Sequence, residues 1–361
     1  GLGNPKNPYR MNDYFKLDEE YGTDEDLKDF VYEAHKLGLK VMFDLVYFHC
    51  GPRAKLIDIN KDFIKRLPDG TPDNGDWHFP KLNFDCPELC EYLWGNMEYW
   101  VKNFDIDGYR CDVGDRVPLE FWREGVRRVK DIKPDFIMLN EGRKDEWIES
   151  GVFDANYCYW GFERIFDLGE KNINKNLKAI KHINKQTMCF ENHDSASDEY
   201  ENRYERKFGK NVCDAMLVVT FTCGCVPFIY NGNEIADSCR HSLWNNRFYG
   251  KNLCVDWSEA LTKDGKNRTA LVKSLIKIYH NISAINIGDI EVLTESADFT
   301  AYKKTHGDRE VLVIANMTKD IQTVSLNGEN LSDYQTLLSA RNIIDNNVVT
   351  LSDGGYLVLY K

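Results

Sequence analysis

The chain has 361 residues, 42% of them apolar, with a net charge of -12 and a pI of about 5.3. The acidic balance argues against a nucleic-acid backbone as partner, which needs a basic face, and no apolar run reaches the roughly eighteen residues that span a bilayer. The length exceeds what one ordinary core serves, so an extended α/β barrel with a small second domain fits it.

Taken in chain order, the opening Gly1-Leu2-Gly3-Asn4 has no charged or apolar targeting pattern and no initiator Met, so any targeting signal is expected to be removed or not included. Thr23-Asp24-Glu25-Asp26 reads as a capping box, a Thr N-cap with an acidic residue three positions on. Leu27, Phe30, Val31 and Ala34 follow at helical spacing, and Gly38 is placed to stop that helix. Val41 to Phe48 is a near-continuous apolar run of the kind found in parallel strands buried on both faces. The alternation then repeats. Helical stretches near 87–103 and 118–132 lead into strand-like runs at Gly108 to Val113 and Phe136 to Glu141. Ala155 to Trp160 is a shorter strand, a polar helical stretch precedes Thr187 to Asn192, and a helix near Val212 to Phe221 leads into Val226 to Tyr230. Strand, helix, strand repeated predicts parallel pairing through crossovers. Six strands are counted, where a closed barrel of this kind has eight.

From Asp289 the pattern changes to short β-like runs separated by turn residues such as Asn327-Gly328 and Gly354-Gly355. The expected boundaries are therefore a β/α barrel over 1–288, with a short loop domain at 50–83, and a C-terminal β-sandwich over 289–361. The 11 cysteines form no metal-type pair, Cys223-Gly224-Cys225 being too close for a zinc clamp, and are expected to be reduced and mostly buried. That favours a reducing compartment slightly. Aromatic residues make up 13% of the chain, which suits a sugar-binding surface and equally a large aromatic core.

Three strand-like runs end in carboxylates: Arg110-Cys111-Asp112, Asn140-Glu141 and Asn192-His193-Asp194. A lone carboxylate at such a place is ordinarily a helix cap or an ion-pair partner. Three of them, each with a polar companion at the C-terminal end of a strand, are harder to explain that way, because that end of a parallel barrel carries the active site. Paired carboxylates are the equipment of glycosidic-bond chemistry. Arg110 lies two positions before Asp112, on the same face of an extended strand.

These segments resemble the motifs of the α-amylase family of glycoside hydrolases. Asp44-Leu45-Val46-Tyr47-Phe48-His49 is similar to the first motif, Asp107 through Asp112 to the second, Glu141 after Ile137-Met138-Leu139 to the third, and Phe190-Glu191-Asn192-His193-Asp194 to the fourth. Phe79-Pro80-Lys81-Leu82-Asn83 is similar to an additional motif, and Pro8-Tyr9 through Tyr21-Gly22-Thr23 to the stretch that follows the family's second strand. The ordered set spans most of the chain. The resemblance implies a (β/α)8 TIM-type barrel, its first one to two strands absent from this sequence, with a short loop domain after strand 3 and a small C-terminal all-β domain. The chain is then expected to be a piece of a longer protein.

The roles that the resemblance implies are specific. Asp112 is the nucleophile and Glu141 the proton donor, then base, of a retaining mechanism. Arg110 is expected to hold the Asp112 carboxyl down, and a drier site to hold Glu141 up. Asp194 binds the distorted sugar, His49 and His193 donate hydrogen bonds to its hydroxyls, and Tyr9 stacks beneath it. Asp44 holds the Arg110 network from behind. The implied substrate is an α-1,4-linked glucan or maltooligosaccharide. Transglycosylation or isomerisation through the same intermediate, or a non-catalytic glycan-binding relative, are the alternatives. Position 48 departs from the family: Phe48 stands where many members have an Asn that helps hold calcium. Phe offers no oxygen ligand, so a structural calcium is expected to be absent, and no other cofactor is implied. Asp115 and Arg116 also differ from the Lys-His pair of common α-amylases. Oligomeric state has no signal in the sequence.

Overall fold

A computed structural model describes residues 7–157, 172–196, 203–239, 254–326 and 328–361. Cys158-Tyr159-Trp160 of the strand expected at 155–160, and Asn327 of the expected turn, lie outside those residues. The chain divides into two compact units, Gly1–Tyr157 and Cys158–Lys361.

In the first unit, α1 spans Asp24–Lys36. Its capping box is formed: the Asp26 N–H donates to Thr23 Oγ1 at 3.2 Å, and the Thr23 N–H donates to the Asp26 carboxylate at 2.7 Å. Four strands follow, β1 (Met42–Leu45), β2 (Gly108–Cys111), β3 (Ile137–Asn140) and β4 (Ala155–Tyr157). All pair in parallel and in sequence order, Met42 facing Gly108, Gly108 facing Ile137, and Leu139 facing Ala155. The helices of this unit are α2 (Lys55–Ile59), α3 (Pro87–Phe104), α4 (Leu119–Ile132) and α5 (Asp145–Glu149). α3 opens on a proline in its first turn and ends at Asp105 in the left-handed region, so its start and stop are both set locally. Leu89, Leu93, Met97 and Val101 of α3 join Phe121, Val126 and Val129 of α4 and Tyr109 and Met138 of the strands in one core.

Two expectations change here. The strands are shorter than the apolar runs that announce them, β1 ending at Leu45 although Val46 and Tyr47 are also buried. And α1 buries only Val31, while Phe30 is 61% exposed. The reason is that β1 is an edge strand, paired with β2 alone among the described residues. The apolar stripe of α1 has little surface to cover.

In the second unit, α6 (Ile173–Ala179) precedes β5 (Gln186–Met188). Then come α7 (His193–Ala196), α8 (Tyr204–Lys207), α9 (Lys210–Thr222), β6 (Val226–Pro227), α10 (Lys263–Asn281) and α11 (Ser283–Ile287). β5 and β6 pair in parallel, Thr187 facing Val226. An antiparallel sheet closes the chain: β7 (Asp289–Val292), β8 (Phe299–His306), β9 (Arg309–Asn316), β10 (Gln322–Ser325), β11 (Gln335–Asp345) and β12 (Val348–Tyr360). Strand alternation divides its side chains between two cores. Val311, Val313 and Ala315 pack with α9, whereas Leu312 and Ile314 pack with Val349, Leu351 and Leu357 on the other face.

The strands of the expected sandwich are joined in one continuous hydrogen-bonded path rather than in two separate ones. β12 makes the difference: its first half pairs with β10 and its second half with β9, while β11 follows it along the other edge. The change of partner falls around Gly354, whose φ of +58° suits glycine. All ten described cysteines are free thiols, seven of them buried.

Candidate active site

The strand ends of the first unit carry a polar cluster built around Arg110. Register places Arg110 on β2 directly between Asp44 of β1 and Leu139 of β3. Asp112 and Glu141 follow one residue after the last residues of β2 and β3. The Arg110 guanidinium is buried, and each of its three nitrogens has a partner. Its Nη1 donates to Asp44 and to Asp112 Oδ1 at 2.8 Å, its Nη2 lies 2.9 Å from Glu141 Oε2, and its Nε donates to the Tyr157 hydroxyl at 3.2 Å. Tyr9 donates its phenol to Asp44 Oδ2 at 3.0 Å. One guanidinium bound to both carboxyls can hold them at the separation of about 5–5.5 Å that retention requires.

The charges in this cluster differ from the expected assignment. Asp112 is not held down. Burial, reinforced by the charges of Glu141 and Asp44, pushes it up to about 8 against the pull of Arg110. The physical reason is that one guanidinium serves three carboxylates, so no single one receives its whole charge. Nor is Glu141 drier than its partner: each is 7% exposed. Burial works against the charge on Arg110, but Asp44, Tyr157 and Glu141 outweigh it and keep the guanidinium protonated. Burial and the neighbouring Asp44 raise the Tyr9 phenol, which stays protonated.

His49 stands at the edge of this cluster. Its ring stacks on Phe79 with centroids 5.0 Å apart, and its Nε2 lies 3.0 Å from the Tyr9 carbonyl oxygen. A carbonyl only accepts, so the proton sits on Nε2. Burial holds this histidine below its usual value, the Tyr9 bond opposing only in part. The expected donor to a sugar hydroxyl is therefore already spent, and Nδ1 is left as a buried acceptor without a partner.

His193 and Asp194 belong to the second unit. They do not end a strand. β5 stops at Met188, and both lie in the first turn of α7. His193 Nε2 is 3.5 Å from Asp194 Oδ1, and the Asp194 N–H donates to Asn192 Oδ1 at 2.9 Å. Behind them Glu191 is fully buried, accepting from Arg203 Nε at 3.0 Å and from the Tyr204 N–H at 2.7 Å.

Three contributors were not singled out from sequence. Tyr157 lies in a strand that was recognised, and alternation along that strand was the available signal. Val113 donates its N–H to Glu141 Oε2 at 2.7 Å, a contact with no sequence signature. Asp115 was noted only as a departure from the common pair. At position 48, the Arg116 guanidinium lies 5.4 Å from the Phe48 ring centroid and 4.8 Å from that of Trp77. Among the described residues no cluster of three or more His, Cys, Asp or Glu side chains is arranged to hold a metal ion.

The family described as alpha amylase, catalytic domain, matches residues 3–79 and 74–275. The chain is 29% identical to a maltogenic alpha-amylase of Bacillus acidopullulyticus over 86% of this chain and 57% of that protein. It is 28% identical to a cyclomaltodextrinase of a Bacillus species, over 86% of this chain and 60% of that protein. The chain thus spans less than two thirds of the length of these curated relatives. A solved structure of a noncanonic maltogenic alpha-amylase, AmyB of Thermotoga neapolitana, superimposes with a TM-score of 0.80 at 22% identity, covering 100% of this chain and 87% of that one. An alpha-amylase of Lactobacillus plantarum does so with a TM-score of 0.76 at 22% identity, covering 100% and 88%. These likenesses show the fold, a β/α barrel with a C-terminal β domain. The ordered motifs and the match over residues 3–275 lead to one conclusion: the chain belongs to the α-amylase family of glycoside hydrolases.

Proposed function

We propose that this chain carries the centre of a retaining glycoside hydrolase acting on α-1,4-glucosidic bonds of starch-like glucans or maltooligosaccharides. The observation that carries the reading is the pair Asp112 and Glu141, held on two nitrogens of one buried guanidinium. In the first step Asp112 attacks the anomeric carbon while Glu141 protonates the departing glycosidic oxygen. In the second, Glu141 takes a proton from water, which displaces Asp112 from the glycosyl-enzyme. Arg110 holds both carboxyls through the cycle, and Asp44 and Tyr157 hold Arg110. Asp194 and His193 bind hydroxyls of the reacting sugar, Tyr9 presents its ring and His49 its Nδ1. A sugar hydroxyl in place of water gives transglycosylation by the same route.

The test is incubation of the protein, with all its natural sequence, with starch, maltotriose, cyclodextrin and pullulan. Products are resolved by chromatography and their anomeric form by NMR. Retained α-configuration is expected, with products longer than the substrate marking transfer. Asp112→Asn is expected to lower turnover by at least about a thousandfold while glycan binding persists. Inverted products, or turnover unchanged in that variant, would sink the reading.

We also propose that no structural calcium is held at Phe48. Its side chain has no oxygen to offer, and the fixed positive charge of Arg116 lies over its ring. Dialysis against a chelator is expected to leave both activity and thermal midpoint unchanged. Loss of either, restored by calcium, would contradict this.

A further inference from the structure

The turn that follows Asp112 reaches across to the strand end that carries Glu141. It does so by two arms. The first is the Val113 N–H, which donates to Glu141 Oε2 at 2.7 Å. Val113 takes a left-handed conformation to do this, with φ +38° and ψ +44°, which a β-branched residue rarely adopts. The second arm is the Asp115 carboxylate. Its Oδ2 accepts the N–H groups of Arg143 at 2.7 Å and Lys144 at 3.3 Å, and its Oδ1 accepts from Asn140 Nδ2 at 2.9 Å.

These bonds close a ring around Glu141. Asn140 Nδ2 also donates to Asn156 Oδ1 at 2.9 Å, Asn156 Nδ2 donates to the Lys144 carbonyl at 3.1 Å, and Lys144 Nζ donates to the Asp115 carbonyl at 3.3 Å. Asn140 and Asn156 are fully buried. Glu141 thus has a clamped residue before it and two clamped residues after it. Gly142 lies directly beneath the clamp: a Cβ there would overlap Asp115 Oδ1 and Asn140 Nδ2. The segment 141–144 has no helix or strand to hold it, so its geometry depends on these bonds.

We propose that Asp115 is a positioning residue for Glu141, fixing the backbone on both sides of the proton donor so that its carboxyl meets the glycosidic oxygen. The proposal rests on the assignment of Glu141 as that donor. Asp115 itself touches no reacting atom. Its effect falls on the two proton transfers of Glu141, because the bonds it makes are to the Glu141 segment, whereas Asp112 is held by Arg110.

That selectivity supplies the test. A maltooligosaccharide leaves as an alkoxide and needs a proton donor. Maltosyl fluoride loses fluoride with little help from an acid, and with azide in place of water as the acceptor the second step needs no base either. Asp115→Ala is expected to lower kcat on the maltooligosaccharide about 10–100-fold, with KM little changed. On maltosyl fluoride with azide as the acceptor it should stay within about threefold of the parent. Asp115→Asn keeps an oxygen for the Arg143 and Lys144 N–H groups, so it should fall between, and it carries the comparison if the Ala variant fails to fold. Equal losses on both substrates, or none on either, would overturn the proposal. Glu141→Gln run alongside separates the two ideas. A large loss on the maltooligosaccharide with activity kept on the fluoride supports Glu141 as donor. Equal loss on both overturns that assignment, and the proposal with it.

Discussion

Asp112 and Glu141 share the Arg110 guanidinium, and the charge of Glu141 helps to raise the Asp112 carboxyl. Retention needs one of them charged and the other protonated, so the reactive form of the pair holds a single proton. Burial and the charges of Glu141 and Asp44 keep that proton on the pair up to about 8, as the raised Asp112 carboxyl shows. Activity is therefore expected to persist through neutrality and to fall on the alkaline side near pH 8, where the last proton leaves. Asp44 is one of the charges that raises this limit. Asp44→Asn should move the alkaline limb of the kcat/KM profile down, and a limb that stays or rises would show that Asp44 does not act through the pair. Stability follows with a definite sign. A carboxyl raised in the folded state contributes stability below its unfolded value of about 4 that is lost as pH rises through about 8. Asp112→Asn should remove that slope, so calorimetry at pH 8 should give it a thermal midpoint higher than the parent's by about 2 °C or more. At this scale Arg110 was legible, because strand alternation alone puts it beside Asp112. The order of the two carboxyls was not. It depends on how one guanidinium divides its charge among Asp44, Asp112 and Glu141, which come from three separate segments.

Elements were legible where the signal is local. The capping box of α1 and the proline that opens α3 both appear where the residues predict them. Extents were less legible. An apolar run marks burial, and Val46 and Tyr47 are buried without being in the β1 ladder. Phe30 sits at a helical apolar position yet is exposed, because periodicity says which face could be buried and not whether anything lies against it. The bend in β12 is a third case. Gly354-Gly355 reads as a turn between strands, and here it lies inside one long strand that changes partner. The physical requirement at Gly354 is double. Its φ is +58°, and a Cβ there would overlap the Asn211 backbone at the start of α9. Gly307, in the turn between β8 and β9, has a similar φ of +61° and open space around it. Gly307→Ala should then cost about 1 kcal/mol, the backbone strain alone. Gly354→Ala should cost at least about twice that, since backbone cannot move aside as a flexible side chain can. Denaturation midpoints of the two variants decide the matter, and equal losses would mean that β12 and α9 part without penalty.

Across the whole molecule, buried charge is concentrated at arginines that each gather carboxylates from distant segments. In the first unit this is Arg110. In the second, Arg203 holds Glu191 and Asp237 with all three side chains fully buried, and Arg268 holds Glu205 and Asp214. None of these partners could be assigned from spacing, because the pairs are 12 to 63 residues apart with no shared period. Glu191 shows why they matter. It lies inside the motif Phe190 to Asp194 and is bound by Arg203 Nε, the Tyr204 N–H and Asn233 Nδ2. The motif's polar residues are therefore anchored through a buried ion pair rather than through the short β5 strand. Removing one member of such a pair strands the other charges without water, which costs about 3–5 kcal/mol. Arg128, by contrast, pairs at the surface with Glu91, which is 60% exposed, and such a pair is worth about 1 kcal/mol or less. Arg203→Met should then destabilise far more than Arg128→Met, although both delete one guanidinium. It should also weaken glycan binding, at temperatures where the variant is still folded, by releasing the segment that carries His193 and Asp194. Similar losses of stability in the two variants would place the strength of the second unit in its apolar cores. Lost stability with glycan affinity unchanged would separate the Arg203 anchor from any part that His193 and Asp194 play in binding.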